Sequence, residues 1–399
     1  MAALPPAASA PADKPSLTSL SAGVAYALMW FGFAAYLGVL ATASRLGRRL
    51  VWAAIVVLVV GFALAPVLLS HDVYSYVDYA RLGVVHDLDP YSHPPAAMPT
   101  DPVYGEVDWT EATSAYGPLF TLLTYPLAWL PVSAAVAALK ALAALSVLAL
   151  AALAARLAPA RGVDPSRAAA FVALNPLVLV HVVGGAHNDG LAMLIAMLGV
   201  AAVLAAREAT GGAALVAAIA TKASTAVLAP FALLGAARRD RPRTAGEKVA
   251  SPVSSTPFGR LLLGATFAAV ALVVSAYAVF GWDWLSAIGL AGENQSRTSH
   301  MSIPITMARL TGLDPTPVRA AALALYALFV IHLLAWTWRR DDWLRAAAWA
   351  SLGLLLATSW LLPWYLIWAL PLAALARDRT LQLLTLTLTA YQLGARIPL

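Results

Sequence analysis

The sequence predicts an all-α, polytopic membrane protein, and three observations carry that expectation. Of 399 residues, 61% are hydrophobic and only 12% are charged. The mean hydropathy is +0.76. A water-soluble chain carries about 25% charged residues, so ordinary soluble globular folds are excluded. A spanning helix needs about 20 apolar residues, which leaves room for roughly 10 to 13 transmembrane helices joined mostly by short loops. The absence of cysteine removes disulfides, zinc–thiolate and iron–sulfur sites and any thiol nucleophile. The net charge of +6 does not mark a nucleic-acid binder, because the bases sit where membrane topology puts them.

Those bases order the elements. Arg45, Arg48 and Arg49; Arg156, Arg161 and Arg167; Arg207; Arg238 to Lys248 with Arg260; Arg339, Arg340 and Arg345; and Arg377 with Arg379 form the basic clusters. The positive-inside rule assigns all of them to the cytoplasmic side. Between two such clusters the chain crosses the membrane an even number of times. After a disordered Pro/Ala-rich tail at 1–20, a single transmembrane domain is expected over 21–399, with both termini outside and a first span at 22–43. Spans at 50–69 and 133–155 bracket an outer loop, 70–132, in which the Pro-broken segment 117–131 reads as an interfacial helix. Spans at 168–184 and 190–206 place Gly185-Ala-His-Asn-Asp189 at an outer turn. Between Arg207 and Arg238 the polar interruption Thr221-Lys-Ala-Ser-Thr225 predicts two half-helices, tolerated only where protein or a polar cavity covers the freed backbone. Spans at 261–281 and 317–337 leave 282–316 outside. A tight hairpin over 345–377 turns at Trp360-Leu-Leu-Pro-Trp-Tyr365, and a last span covers 381–396.

Chemistry-bearing residues then collect on one side. Eight of the twenty acids, Asp72, Asp78, Asp87, Asp89, Asp101, Glu106, Asp108 and Glu111, share the outer loop with one base, Arg81. Five of the seven histidines, His71, His86, His93, His187 and His300, face the same way, so a site opening there is the default expectation. Asp72 is the first acid after the second span. A partly desolvated carboxylate there can act as a general base with a raised pKa, although an acid in that place can equally cap a helix. Asp72, Val73, Tyr76 and Tyr79 fit one helical face, which turns Asp78 elsewhere.

Tyr91 and Tyr116 sit in Pro/Gly turns and suit a sugar or lipid head group, or serve as ordinary interfacial anchors. His187, Asn188 and Asp189 follow Gly-Gly and precede a helix, a placement suited to binding something polar. His187 with Asp189 is too sparse a set to predict a divalent metal, and no cofactor is expected. Lys222, an intramembrane cation, is a functional residue by default, with snorkelling as the other reading. Arg297, His300, Arg309 and Arg319 give the later outer loop a cationic character that suits a phosphate.

Taken in order, Asp72-Val-Tyr-Ser-Tyr76 (with Tyr74 at its centre), Asp89-Pro-Tyr91, Ser114-Ala-Tyr-Gly-Pro-Leu119, Asn175-Pro176, Gly184-Gly-Ala-His-Asn-Asp189, Lys222, Pro363-Trp-Tyr365 and Leu370-Pro371 resemble the actinobacterial polyprenol-phosphate-mannose-dependent mannosyltransferases. These are membrane glycosyltransferases of the GT-C class, and the resemblance runs over roughly residues 50 to 376. It implies a GT-C fold in the bacterial plasma membrane, with a long first catalytic loop facing outward. The donor would be a polyprenyl-phosphate-linked sugar, the acceptor a mannoside glycan or glycolipid, and the base Asp72. His71 stands where some relatives carry Arg, and an extra span precedes the loop.

The chemistry of that class needs one base. The departing lipid phosphate is already a good leaving group, so no paired general acid is required. Asp72 would deprotonate the acceptor hydroxyl as it attacks and inverts the anomeric carbon, turning a β-linked mannosyl donor into an α-mannoside. Lys222, Arg297 and His300 are the candidates to stabilise the phosphate, with His71, Tyr74, Trp364 and Tyr365 as further substrate contacts. The alternatives are a transferase using another lipid-linked sugar such as arabinofuranose, a secondary transporter, or a non-catalytic scaffold for envelope assembly.

Overall fold

The computed structural model describes residues 22–240, 255–294, 297–340 and 342–395. The tail expected at 1–20 and the basic residues from Arg241 to Lys248 lie outside them. The described residues are helical, with no strand among them. Helix α1 (Ala22–Thr42) leads through a turn carrying Arg45 into α2 (Arg48–Leu64), which ends just before Pro66, a residue with no N–H to continue the ladder. The polar segment that follows holds α3 (Asp72–Val85) and α4 (Pro118–Thr124), short helices between irregular stretches.

The chain then enters α5 (Val132–Leu157), the longest apolar helix. α6 (Pro165–Ala173) is capped by Asp164, whose carboxylate accepts the Arg167 N–H at 2.8 Å. Asn175-Pro176 interrupts it, and a π-helical turn, Val178–Gly184, continues at 63° to α6. α7 (Asp189–Leu204) and α8 (Glu208–Thr221) form an antiparallel pair. A break at Lys222 and a 3₁₀ turn, Ala223–Leu228, lead to α9 (Ala229–Arg239).

α10 (Pro257–Phe280) and α13 (Pro315–Arg339) expose apolar side chains such as Phe267, Val274, Leu325 and Ile331, as lipid-facing helices do. Between them lie α11 (Ser286–Asn294) and α12 (Ile303–Thr311). The C-terminal part comprises α14 (Trp343–Ala357), a 3₁₀ turn at Pro363–Trp368, α15 (Leu370–Leu375) and α16 (Arg379–Ala395). The molecule is an integral, polytopic, all-α membrane protein.

Among the described residues, four helices (α1, α5, α10, α13) are long and apolar enough to cross a membrane unaided, or five if the bent α6 pair counts as one. Against the sequence-based expectation of roughly 10 to 13 spans, four further apolar helices are shorter than a span, because breaks such as Asn175-Pro176, Lys222 and Pro363 cut the runs. The cut ends survive because neighbouring helices cover them: α6, α7, α14 and α15 form the buried centre, packed through small residues such as Ala168–Ala170 and Ala346–Ala348. The segment between α2 and α5 caps this bundle through Val73, Tyr76, Val77 and Phe120 against Ala135, Val136 and Leu139 of α5.

Close backbone approach fixes α8 against α10. A Cβ on Gly264 would stand 1.9 Å from the Ala209 carbonyl oxygen, and one on Gly212 would stand 2.1 Å from that of Leu261. Gly→Ala inside a helix normally stabilises by about 1 kcal/mol, but here the obstacle is rigid backbone, so overpacking reverses the sign. Gly264→Ala is expected to destabilise by about 1–3 kcal/mol, read as a lowered Tm in detergent. At the end of the bundle away from that capping segment, buried Glu208 bonds Arg239 (3.2 Å) and Arg260 (2.9 Å), Arg161 pairs with Asp342 (2.6 Å), and Arg345 with Asp378 (2.6 Å). Arg161, Arg239, Arg260 and Arg345, drawn from separate stretches of the chain, therefore lie at this end.

Candidate active site

Breaks in the helical pattern converge at the opposite end. The start of α3, the loop around Trp109, the break after α8, Arg297, and the turn from Trp360 to Tyr365 line one cavity of about 350 Å³. Each is a place where backbone or side-chain polarity interrupts an apolar run, so the features that break the spans also supply the walls.

Asp72 opens α3, with its backbone N–H donating to Ser70 Oγ at 3.3 Å. The Trp109 indole N–H donates to Asp72 Oδ1 at 3.1 Å, and His187 Nδ1 stands 3.6 Å from Oδ2. Burial raises the Asp72 carboxyl above the usual carboxylate range; the Trp109 N–H and the Lys222 ammonium pull it back, while Asp189 and Asp108 add to the rise. Asp78, on the other face of α3, is pushed up to about 7, mainly by burial and then by Asp101, with His86 and Arg81 opposing. It does not line the cavity. Its neighbour Asp101 accepts from Arg81 Nε at 2.9 Å and lies 2.7 Å from His86 Nε2, an internal brace of the segment between α2 and α5. Asp89 is also raised, mainly by burial, but of these three raised carboxyls only Asp72 lines the cavity.

Lys222 sits where α8 gives way to an extended residue (φ −155°, ψ 120°). Its Nζ reaches Asp189 Oδ2 at 2.6 Å and Asn188 Oδ1 at 3.2 Å, and lies 5.4 Å from the centre of the Tyr365 ring. Asp189 is fully buried, and its other oxygen accepts the Trp368 indole N–H at 2.7 Å. An ammonium has three protons; with two on Asn188 and Asp189, one is left for the cavity. Trp364 stacks on His187 (ring centres 3.7 Å apart) and Tyr365 on Trp368 (4.1 Å). The Arg297 guanidinium lies over Trp109 at 5.0 Å and Trp360 at 5.9 Å. The cavity thus has a carboxylate, two cations and aromatic walls, a combination suited to a sugar with an anionic substituent.

Of the residues expected to bind substrate, Tyr116, Lys222, Arg297, Trp364 and Tyr365 line this cavity together with Asp72. The others are placed differently. Tyr91 is buried against Phe280, and its hydroxyl donates to the Tyr116 carbonyl at 2.9 Å, so it supports the wall rather than forming a rim. His187, Asn188 and Asp189 do not project into solvent from an outer turn. The turn is buried because α7 starts inside the bundle, and its polar side chains face Asp72 and Lys222 instead. His187 stands beside Asp72 and Asp189 is bonded to Lys222, and no group of three or more His, Asp or Glu among the described residues is arranged to hold a metal ion. His71 packs on Tyr74 (5.5 Å) and lies 3.4 Å from Asp108, beside the opening and off its lining. His300 is exposed and also off the lining; its carbonyl accepts from Thr306.

Trp109, Trp360 and Trp368 were not singled out by sequence. A signal existed for each: a tryptophan amid the acids of a polar loop, and the i, i+4 spacing of Trp360, Trp364 and Trp368.

Residues 3–238 match the family model described as alpha-(1->6)-mannopyranosyltransferase, N-terminal domain. Among curated relatives, alpha-(1->6)-mannopyranosyltransferase A of Mycobacterium tuberculosis is 31% identical over 335 residues, covering 78% of this chain and 63% of that protein. The Corynebacterium glutamicum protein of the same name is 28% identical over 195 residues, covering 48% and 39%. A probable alpha-(1->6)-mannopyranosyltransferase of Mycolicibacterium smegmatis is 28% identical over 414 residues, covering 90% and 71%. The chain thus spans less than two thirds of the length of the first two. No solved structure matches it significantly.

Proposed function

The chain belongs to the alpha-(1->6)-mannopyranosyltransferase family, and from that premise we propose that it is an inverting membrane mannosyltransferase. The donor is a polyprenyl-phosphate-linked mannose, the acceptor a mannoside glycan or glycolipid, and the site opens on the extracytoplasmic face. The observation that carries this reading is one cavity with a desolvated carboxylate, Asp72, on one wall and the cations Lys222 and Arg297 on others. A base and an anion clamp flanking a space of sugar size are what transfer from a glycosyl phosphodiester requires.

In the proposed step the acceptor hydroxyl gives its proton to the Asp72 carboxylate as its oxygen bonds to the anomeric carbon. The bond from that carbon to the phosphate oxygen breaks, its electron pair stays on the lipid phosphate, and the configuration inverts. The relatives' names specify a 1→6 linkage, which makes the nucleophile a primary hydroxyl. Lys222 and Arg297 stabilise the charge gathering on phosphate, with the Arg fork suited to two phosphate oxygens. Since the Lys222 charge is already balanced by Asp189, Arg297 supplies the net positive field and Lys222 a directed donor. Trp109, Trp360, Trp364 and Tyr365 offer faces to the sugar ring.

The test is transfer by purified protein from polyprenyl-phosphate mannose to a mannoside acceptor, with the product linkage determined. Absence of transfer in folded protein would overturn the reading, and solute uptake into proteoliposomes without transfer would favour a transporter. Transfer of arabinofuranose but not mannose would replace the donor. The pH profile adds a check. The base works deprotonated, so kcat rises as pH rises through the raised Asp72 pKa. The acid limb is therefore expected above the ordinary value of 3.8. A limb at or below about 4 would contradict a desolvated base.

A further inference from the structure

A second buried lysine plays no part in that step. Lys140 lies eight residues into α5, about 12 Å along its axis at 1.5 Å per residue, on a helix whose other polar side chains are two serines and, in its last turn, Arg156. It is 4% exposed, and its ammonium donates to the carbonyls of Ala65 (a short contact) and Pro66 (2.9 Å). An ammonium among apolar helices is expensive, so its retention calls for a physical reason. Local structure supplies the first part. α2 has 17 residues, about 25 Å, and stops short of a hydrocarbon core of about 30 Å. Its last carbonyls therefore emerge below the surface, and a cation at a helix C-terminus satisfies them and complements the helix dipole.

The second part lies in what the capped segment touches. Residues 65–71 run straight from Lys140 to Asp72. On their opposite side Leu68 N–H donates to the Gly184 carbonyl at 3.2 Å, and Leu69 adopts a left-handed conformation (φ 57°). Gly184 and Gly185 are pressed onto this connector: a Cβ would lie 2.8 Å from Leu68 Cδ1 at the first and 3.2 Å from the Leu68 carbonyl oxygen at the second. The same Gly-Gly pair leads directly to His187, Asn188 and Asp189. The connector is thus gripped between the Lys140 ammonium and the Gly184-Gly185 turn, and it sets the separation of the Asp72 wall from the Asp189–Lys222 wall.

We infer that Lys140 is a positioning residue for catalysis, holding residues 65–71 so that the base carboxylate and the phosphate-binding lysine face each other across the cavity. This rests on the mannosyltransferase reading above.

Lys140→Met, which removes the donors, is expected to lower kcat by at least about 30-fold while the KM for the lipid-linked donor stays within about twofold, because the phosphate contacts are unchanged; misplacement of about 1 Å costs on the order of 100-fold. Lys140→Arg, which keeps the charge and donors, restores most of the rate. Gly185→Ala, whose Cβ would stand 2.7 Å from the His181 carbonyl oxygen and 3.2 Å from that of Leu68, perturbs the connector from its other face against rigid backbone and gives the same kcat-selective loss, so the inference remains open to test if Lys140→Met does not fold. Hydrogen–deuterium exchange, which needs no turnover, is expected to quicken in Lys140→Met in both 65–72 and 184–189.

A folded Lys140→Met with wild-type kcat overturns the inference, and so does an equal fall of kcat and rise of KM that Lys140→Arg does not relieve. Wild-type protein that transfers no mannose at all overturns the functional reading instead. The exchange pattern would still report whether Lys140 holds the connector.

Discussion

Asp72→Asn is expected to lower transfer from polyprenyl-phosphate mannose by about 10²–10⁴-fold, the usual contribution of a positioned general base. Its KM for the donor should change little. Asparagine keeps the size of the side chain and can still accept the Trp109 N–H that holds the carboxylate at 3.1 Å, so folding is preserved. Three other acids compete for the role, and geometry separates them. Asp108 also lines the cavity, but its side chain is 53% exposed and it pairs with His71. Asp189 is committed to Lys222 and Trp368. Asp78 has a raised pKa but faces Asp101 and away from the cavity. Asp108→Asn and Asp78→Asn should therefore retain most of the activity. An Asp72→Asn protein that is folded and fully active would remove the base from the mechanism.

The second large effect concerns the buried pair. Lys222→Met removes a phosphate donor and strands the Asp189 carboxylate, which is fully buried, with one remaining indole partner. Breaking a buried ion pair costs about 3–5 kcal/mol, so Lys222→Met is expected to lose both stability and activity. The double variant Lys222→Met/Asp189→Asn separates the two losses. With no stranded charge, most of the stability should return, read as Tm in detergent. The missing donor to phosphate keeps kcat low by about 10²-fold or more. If the double variant recovers activity along with stability, Lys222 acts only as the partner of Asp189, and Arg297 carries the phosphate alone. If neither returns, the pair is a structural strut whose shape the two neutral residues do not reproduce.

Several parts of this arrangement were legible from residue order. The positions of α1, α5, α10, α13 and α16 follow from apolar runs bounded by arginines, and the break at Lys222 from a polar interruption in an alanine-rich stretch. Residues 118–129 form a short helix and a 3₁₀ turn, broken near the prolines that the sequence shows there. What misled was the outer turn at residues 185–189. A polar tripeptide between two apolar runs looks exposed when spans are drawn as parallel rods. The π-helical bend at 63° from α6 tips that turn into the bundle instead, and burial converts His187, Asn188 and Asp189 from prospective ligands into partners of Asp72 and Lys222. Tyr91 is left open between two readings by sequence for a related reason. An aromatic residue in a loop turn is an anchor or a rim depending on which helix end it meets, and here it meets Phe280.

By itself the sequence determines the membrane class, because 12% charge cannot cover a soluble surface, and it determines which segments carry the chemistry, because in so apolar a chain each polar interruption stands out. Only the tertiary structure decides which of those polar groups meet. Trp109 reaches Asp72 across 37 positions, Lys222 reaches Asp189 across 33, and Trp368 reaches Asp189 across 179. Helical periodicity and charge act over a few residues, whereas these contacts depend on where broken helices end against one another. In the low-dielectric interior each buried charge must find such a partner, and those partners select one packing of the bundle and with it one site.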